Sequence, residues 1–125
     1  ADWEGVPLLA LAPHVPETVR QAQHAQRLSN TTTGLANSLR GLSSGRQTPL
    51  WDRLAELRLP VTLIVGQRDA RYTDLGARMH GQLPRSRLHV VADAGHTVHL
   101  DQAGQFTALV ETALDNKLTH RAGRC

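Results

Sequence analysis

Residues 87–100 read RLHVVADAGHTVHL. Leu88, Val90 and Val91 belong to an apolar, β-branched run that suits a sheet strand. The Ala94–Gly95 pair that follows permits a tight turn, and His96 and His99 come directly after it. Open α/β folds place their sites just past the carboxyl ends of strands, so His96 is a candidate catalytic base. Upstream, LPVTLIVGQRD (59–69) is a second short apolar run, as in a strand buried on both faces, with Gly66 and Asp69 at its end. Between the two runs, DLGARMHGQL (74–83) reads as a weak helix. After them, AGQFTALVETALDNKL (103–118) repeats apolar residues at helical spacing: Phe106, Leu109, Val110 and Leu114. Strand, helix, strand, helix over 59–117 is an α/β pattern with a parallel sheet and crossover helices.

Parallel strands present their carboxyl ends on one side of the sheet, so Asp69 and His96 are expected to converge. A carboxylate on one imidazole nitrogen fixes the tautomer and leaves the other nitrogen to take a proton. Two plainer readings compete. An Asp after a strand often only caps the next helix, and a loop His is often only a surface residue. Metal ligation by His96 and His99 lacks a third ligand at a convincing spacing, so no metal is expected. His99 reads as a surface residue at a helix start, with pocket lining as the alternative.

The first half of the chain reads as helical. PETVRQAQHAQRLSN (16–30) carries Pro16 at a helix start. TTTGLANSLRGL (31–42) is a second helix capped by a threonine. TPLWDRLAEL (48–57) has Thr48 as a cap, Pro49 in the first position, and Leu50, Leu54 and Leu57 on one face. The chain thus divides into a helical region (1–57), a strand-helix-strand-helix region (58–117) and a flexible tail (118–125).

Composition narrows the function classes. Hydrophobic residues make up 40% of 125, enough for a folded core, and aromatics only 3%, so that core is Leu, Val and Ala. The formal net charge is +3, and Lys117 is the single lysine. The arginines are dispersed, with no basic run and no aromatic platform, which argues against nucleic acid as partner. Arginine forks suit carboxylates better than lysine does. The single cysteine, Cys125, excludes an intramolecular disulfide. No apolar run reaches membrane-spanning length and no signal peptide is visible, so a cytoplasmic protein is expected, without a membrane partner. The absence of an initial Met fits a processed or truncated product.

LPVTLIVGQRDARYT (59–73) followed by RLHVVADAGHTVHLDQAGQF (87–106) resembles the carboxyl-terminal part of α/β-hydrolase-fold enzymes. Their strand-Gly-x-x-Asp and strand-x-x-Gly-His segments match at Asp69 and His96, in the fold's chain order of nucleophile, acid, histidine. DWEGVPLLA (2–10) and AQRLSNTTTGLANSLRGLSSGRQTPLWDRL (25–54) are similar to the cap region of the 2-succinyl-6-hydroxy-2,4-cyclohexadiene-1-carboxylate synthases of menaquinone biosynthesis. That resemblance implies a small carboxylated substrate, contacted at Trp3 and Arg27; Trp51 reads as core of the cap, with a ligand contact as the alternative. The resemblance implies no cofactor. It also implies an elimination, in which a serine activated by the histidine removes a proton from an acidic carbon and pyruvate leaves.

The family's first strands, oxyanion loop and serine elbow are not in this sequence. GLSSG (41–45) matches G-x-S-x-G around Ser43, but an elbow needs a strand before it and a helix after it, and neither is expected there. The reading is therefore of a chain carrying the acid and histidine of a triad whose serine lies elsewhere. Such a chain should be inactive and poorly stable alone. The bare edge of its first strand would be covered by an amino-terminal half, by a copy of the chain or by a swapped element. The remaining alternatives are another α/β hydrolase, an esterase or carbon–carbon bond hydrolase, and a non-catalytic binding module.

Overall fold

The computed structural model describes residues 10–43, 45 and 47–122. Two strands, β1 (Val61–Gly66) and β2 (Ser86–Val91), pair in parallel with Val61 opposite Ser86 and Gly66 opposite Val91. Helix α3 (Ala70–Gln82) makes the crossover between them. A four-residue helix, α4 (Val98–Asp101), leads into α5 (Ala103–Ala122). Ahead of the sheet lie α1 (Glu17–Leu28), α2 (Thr32–Leu42) and a 3-10 stretch, Trp51–Glu56. No described helix is long and apolar enough to cross a membrane.

Local signals account for most of these bounds. Pro16 precedes the first turn of α1, where its fixed φ of −57° suits entry into a helix. Thr31 caps α2, its hydroxyl accepting the Gly34 N–H at 3.1 Å. α3 comes close to the sheet because Gly76 has no side chain. A Cβ there would lie 3.2 Å from both Leu88 Cδ1 and Val65 Cγ1. The core sits under the carboxyl ends of the strands: Val91, Ala94 and Val98 are buried, with Ile64, Phe106 and Leu109 packed against them.

Five expectations are corrected. The third helical segment begins at Trp51, not at Pro49, and is a 3-10 stretch in which Thr48 caps nothing and Leu50 and Leu57 are exposed. Three residues per turn do not stack Leu50, Leu54 and Leu57 on one face. Trp51 packs under the Arg78 guanidinium on α3, 4.8 Å from Cζ to the ring centroid, rather than in a cap core. β1 is half-buried along most of its length, because among the described residues the sheet has only two strands. α3 starts four residues before Asp74, since the Asp69 side chain caps it. α5 runs to Ala122, through much of the segment expected to be a tail, while its Leu114 is exposed.

Candidate active site at the strand ends

Both strands end on the same side, and their ends are laced together by backbone. Beyond β1, the Gln67 N–H donates to Val91 O and the Arg68 N–H to Ala94 O, each at 2.9 Å. The Arg68 guanidinium also donates to Asp93 O. Asp93 takes the left-handed conformation, φ 54°, and makes the turn after β2. The sequence pointed instead to the Ala94–Gly95 pair for the turn, yet no described glycine has a positive φ. Glycine is needed at 66, and favoured at 95, for another reason, close approach. A Cβ on Gly66 would collide with Gly95 O and lie 2.5 Å from Ala94 O, and one on Gly95 would meet Asp101 Oδ2 at 3.3 Å.

This lacing brings Asp69 to His96. The Asp69 Oδ2–His96 Nδ1 distance is 2.7 Å. An ionised carboxylate only accepts, so the bond places the proton on Nδ1 and leaves Nε2 with its lone pair. The other oxygen, Oδ1, accepts the Tyr72 N–H at 3.1 Å and caps α3. Helix cap and histidine partner, competing readings of Asp69 in the sequence, are thus both occupied, one oxygen each. The Asp69 side chain is 2% exposed and the His96 side chain 31%. The acid is shielded, and the ring it orients can be reached from outside. Tyr72 meets the His96 ring edge-on, 4.6 Å between centroids.

The other sequence candidates fall elsewhere. Arg27 lines a groove of about 430 Å³ with Arg20, His24, Glu17, Ala10 and Leu11. Ala10 is also where the groove approaches the histidine loop, its carbonyl being 3.9 Å from a Cβ built on Gly95. Trp3 lies outside the described residues. Ser43 follows α2 directly with φ −57° and ψ 132°, and no strand leads into it, so it is no elbow serine. His99 is exposed and leans on Phe106, 5.9 Å between ring centroids. One residue the sequence reading missed is Asp101, buried at 3% exposure, whose carboxylate accepts the Ala12 and Gly95 N–H groups at 2.8 and 2.7 Å.

A parallel strand pair with an acid past one strand and a histidine past the next is the carboxyl-terminal part of an α/β-hydrolase fold. The chain superposes on the solved structure of MenH from S. aureus with a TM-score of 0.89 and 26% identity, over 94% of this chain and 44% of that one. In sequence it is similar to 2-succinyl-6-hydroxy-2,4-cyclohexadiene-1-carboxylate synthases. A Bacillus subtilis (strain 168) protein that bears this name provisionally is 40% identical over 114 residues, 91% of this chain and 42% of its own length. The synthase of Yersinia pseudotuberculosis serotype O:3 (strain YPIII) is 36% identical over 84 residues, 67% of this chain and 29% of its own length. The chain therefore spans less than half of each of these relatives. No family model matches it.

Proposed function

We propose that this chain supplies the acid and the histidine of a Ser-Asp-His triad in a 2-succinyl-6-hydroxy-2,4-cyclohexadiene-1-carboxylate synthase, a cytoplasmic lyase that releases pyruvate. The observation that carries the reading is the 2.7 Å approach of the shielded Asp69 to the reachable His96. In this reading Asp69 orients the ring, and His96 Nε2 takes the proton of a serine that lies outside this chain. The serine oxygen then removes a proton from an acidic substrate carbon, and the electron pair of the broken C–H bond expels pyruvate as its enolate, which takes the proton held on His96 Nε2. Arg27, in the groove beside Ala10, is proposed to hold a substrate carboxylate. Trp3 is proposed as a second substrate contact on sequence resemblance. The unpaired side of β1 is proposed to take a strand from an amino-terminal part of the same protein, with pairing between copies of the chain as the alternative.

The test is an assay of the full-length protein on the carboxylated menaquinone intermediate and on nitrophenyl esters. Pyruvate release that disappears in His96→Ala supports the proposal. Ester hydrolysis without pyruvate release would make the protein a different α/β hydrolase. Sedimentation of the chain with and without its upstream region checks the strand-edge proposal: association is expected, and a monomer that melts cooperatively at low micromolar concentration would overturn it.

A further inference from the structure

We propose that Asp101 is a positioning residue for His96, and that its carboxylate locks the histidine loop to the segment bordering the Arg20–Arg27 groove. The inference rests on the reading of His96 as the proton-transferring group. Asp101 sits five residues past His96 and is 3% exposed. A carboxylate so far from water must be offset by donors. Its two donors are main-chain N–H groups from distant places: Ala12, 89 residues away, on Oδ1, and Gly95, six residues away, on Oδ2. Hydrogen bonds to an ionised acceptor are about twice as strong as neutral ones.

The Gly95 bond acts on the Ala94–Gly95 peptide. That peptide and the Gly95–His96 peptide after it are both held in place. Gly95 O packs against Gly66, leaving no room for a Cβ there, and Ala94 O accepts the Arg68 N–H at 2.9 Å. From the opposite side comes Asp101 Oδ2, standing in the space a side chain at 95 would need. Asp101 is itself held, its N–H donating to Thr97 O at 3.0 Å and its carbonyl accepting from His14 Nε2 at 2.6 Å. A closed loop from Gly95 to Asp101 thus sets the height at which His96 meets Asp69.

The Ala12 bond ties in the groove. Residues 12–15 form one turn, with the Val15 N–H on Ala12 O at 3.0 Å. Arg20 clamps the turn from α1, donating through Nη2 to Ala12 O at 2.5 Å and through Nε to Val15 O at 3.2 Å. The same Arg20 lines the groove that holds Arg27. One buried carboxylate therefore spans the substrate side and the proton-transfer side of the candidate site.

The test is Asp101→Asn in the full-length protein. The amide keeps the size of the carboxylate but turns one acceptor into an NH2 group, which cannot accept an N–H. Gly95 or Ala12 then loses its partner. The expected result is a fall in kcat of about tenfold with KM changed less than about twofold. The NMR signal of the proton shared by His96 Nδ1 and Asp69 should broaden or vanish, and exchange of the Gly95 amide should quicken by roughly tenfold or more. An unchanged His96 signal together with unchanged Gly95 exchange overturns the proposal. Where the variant does not fold, the unaltered protein decides: a Gly95 amide exchanging at the rate of a free loop overturns it, and a protected one supports it. A protein that releases no pyruvate, but whose His96 signal still responds to Asp101→Asn, refutes the synthase reading and leaves the positioning role standing.

Discussion

Helices α1 and α2 bury no residue at all, whereas the loops at the strand ends hold the most enclosed residue among those described, Ala94. Leu28, Leu35, Leu39 and Leu42 stand exposed on the helices, while Ala94 is fully buried between two turns. The contrast inverts the common pattern in which regular elements are rigid and loops are loose. Its cause is the source of order in each region. α1 and α2 are held by their own hydrogen bonds, a proline entry and a threonine cap, all within a few residues. The strand-end loops are held by bonds between residues far apart: Arg68 to Ala94, Asp69 to His96, Asp101 to Ala12. A site that must keep two side chains at 2.7 Å needs the second kind of order.

Two glycines test this contrast most severely. Gly66→Ala puts a methyl group into Gly95 O and Ala94 O, which are backbone and cannot swing away. The expected cost is about 3 kcal/mol or more, a large share of the stability of a small domain, and the hydrogen bond between His96 and Asp69 should break. Denaturant unfolding and the His96 NMR signal check it. A destabilisation under about 1 kcal/mol would mean that the lacing of the loops is looser than described.

Asp69 separates the two kinds of order within one side chain. Asp69→Asn can keep an oxygen on the Tyr72 N–H and so keep the α3 cap, but it presents a donor to His96 and forces the wrong tautomer. If the pair serves the proposed triad, turnover by the full-length protein should fall by roughly a thousandfold or more, with little change in stability. Asp69→Ala should lose the cap as well, costing about 1 kcal/mol more. Equal stabilities for the two variants would show that Oδ1 caps nothing.

The same division explains what the sequence makes legible. β2, α5, the Pro16 entry and the Thr31 cap follow from residues next to one another, so periodicity and capping rules find them. Asp69 and His96 are legible because parallel strands make their meeting a matter of topology. Asp101 is not, since nothing near it in sequence announces a bond to an N–H 89 residues away. The Pro49 start fails for a related reason: the segment has good local helix signals, but its leucines at 50 and 57 find no burial among the described residues, and it forms a 3-10 stretch. The Ala94–Gly95 pair misleads because the turn it suggests is made at Asp93, whereas the missing Cβ of Gly95 eases the approach of the Asp101 carboxylate.

Arg27 lies on the border between the two regions, on a helix of local order but in the groove beside the loops. Arg27→Ala should shift the unfolding free energy by no more than about 0.5 kcal/mol, as for a surface arginine. If it holds a substrate carboxylate, that bond is worth about 1.5–3 kcal/mol, a ten- to hundredfold fall in kcat/KM of the full-length protein. Unchanged kinetics would leave Arg27 an ordinary charged residue of α1.

The gentlest test is the counterpart of Gly66 on the other side of the comparison. Gly41 lies in the last turn of α2, and a Cβ built there meets nothing within 4 Å. Glycine inside a helix costs roughly 0.5–1 kcal/mol relative to alanine, because its unfolded chain has more freedom to lose. Its place near the helix end, where fraying already occurs, puts the effect at the lower limit. Gly41→Ala should therefore stabilise the protein by about 0.5 kcal/mol and raise helical circular dichroism slightly, the opposite sign to Gly66→Ala for the same added methyl. Measured side by side, the two substitutions weigh local against long-range order directly. A destabilising Gly41→Ala would mean that the Gly41 side of α2 is covered in the protein by something that leaves no room for a methyl group.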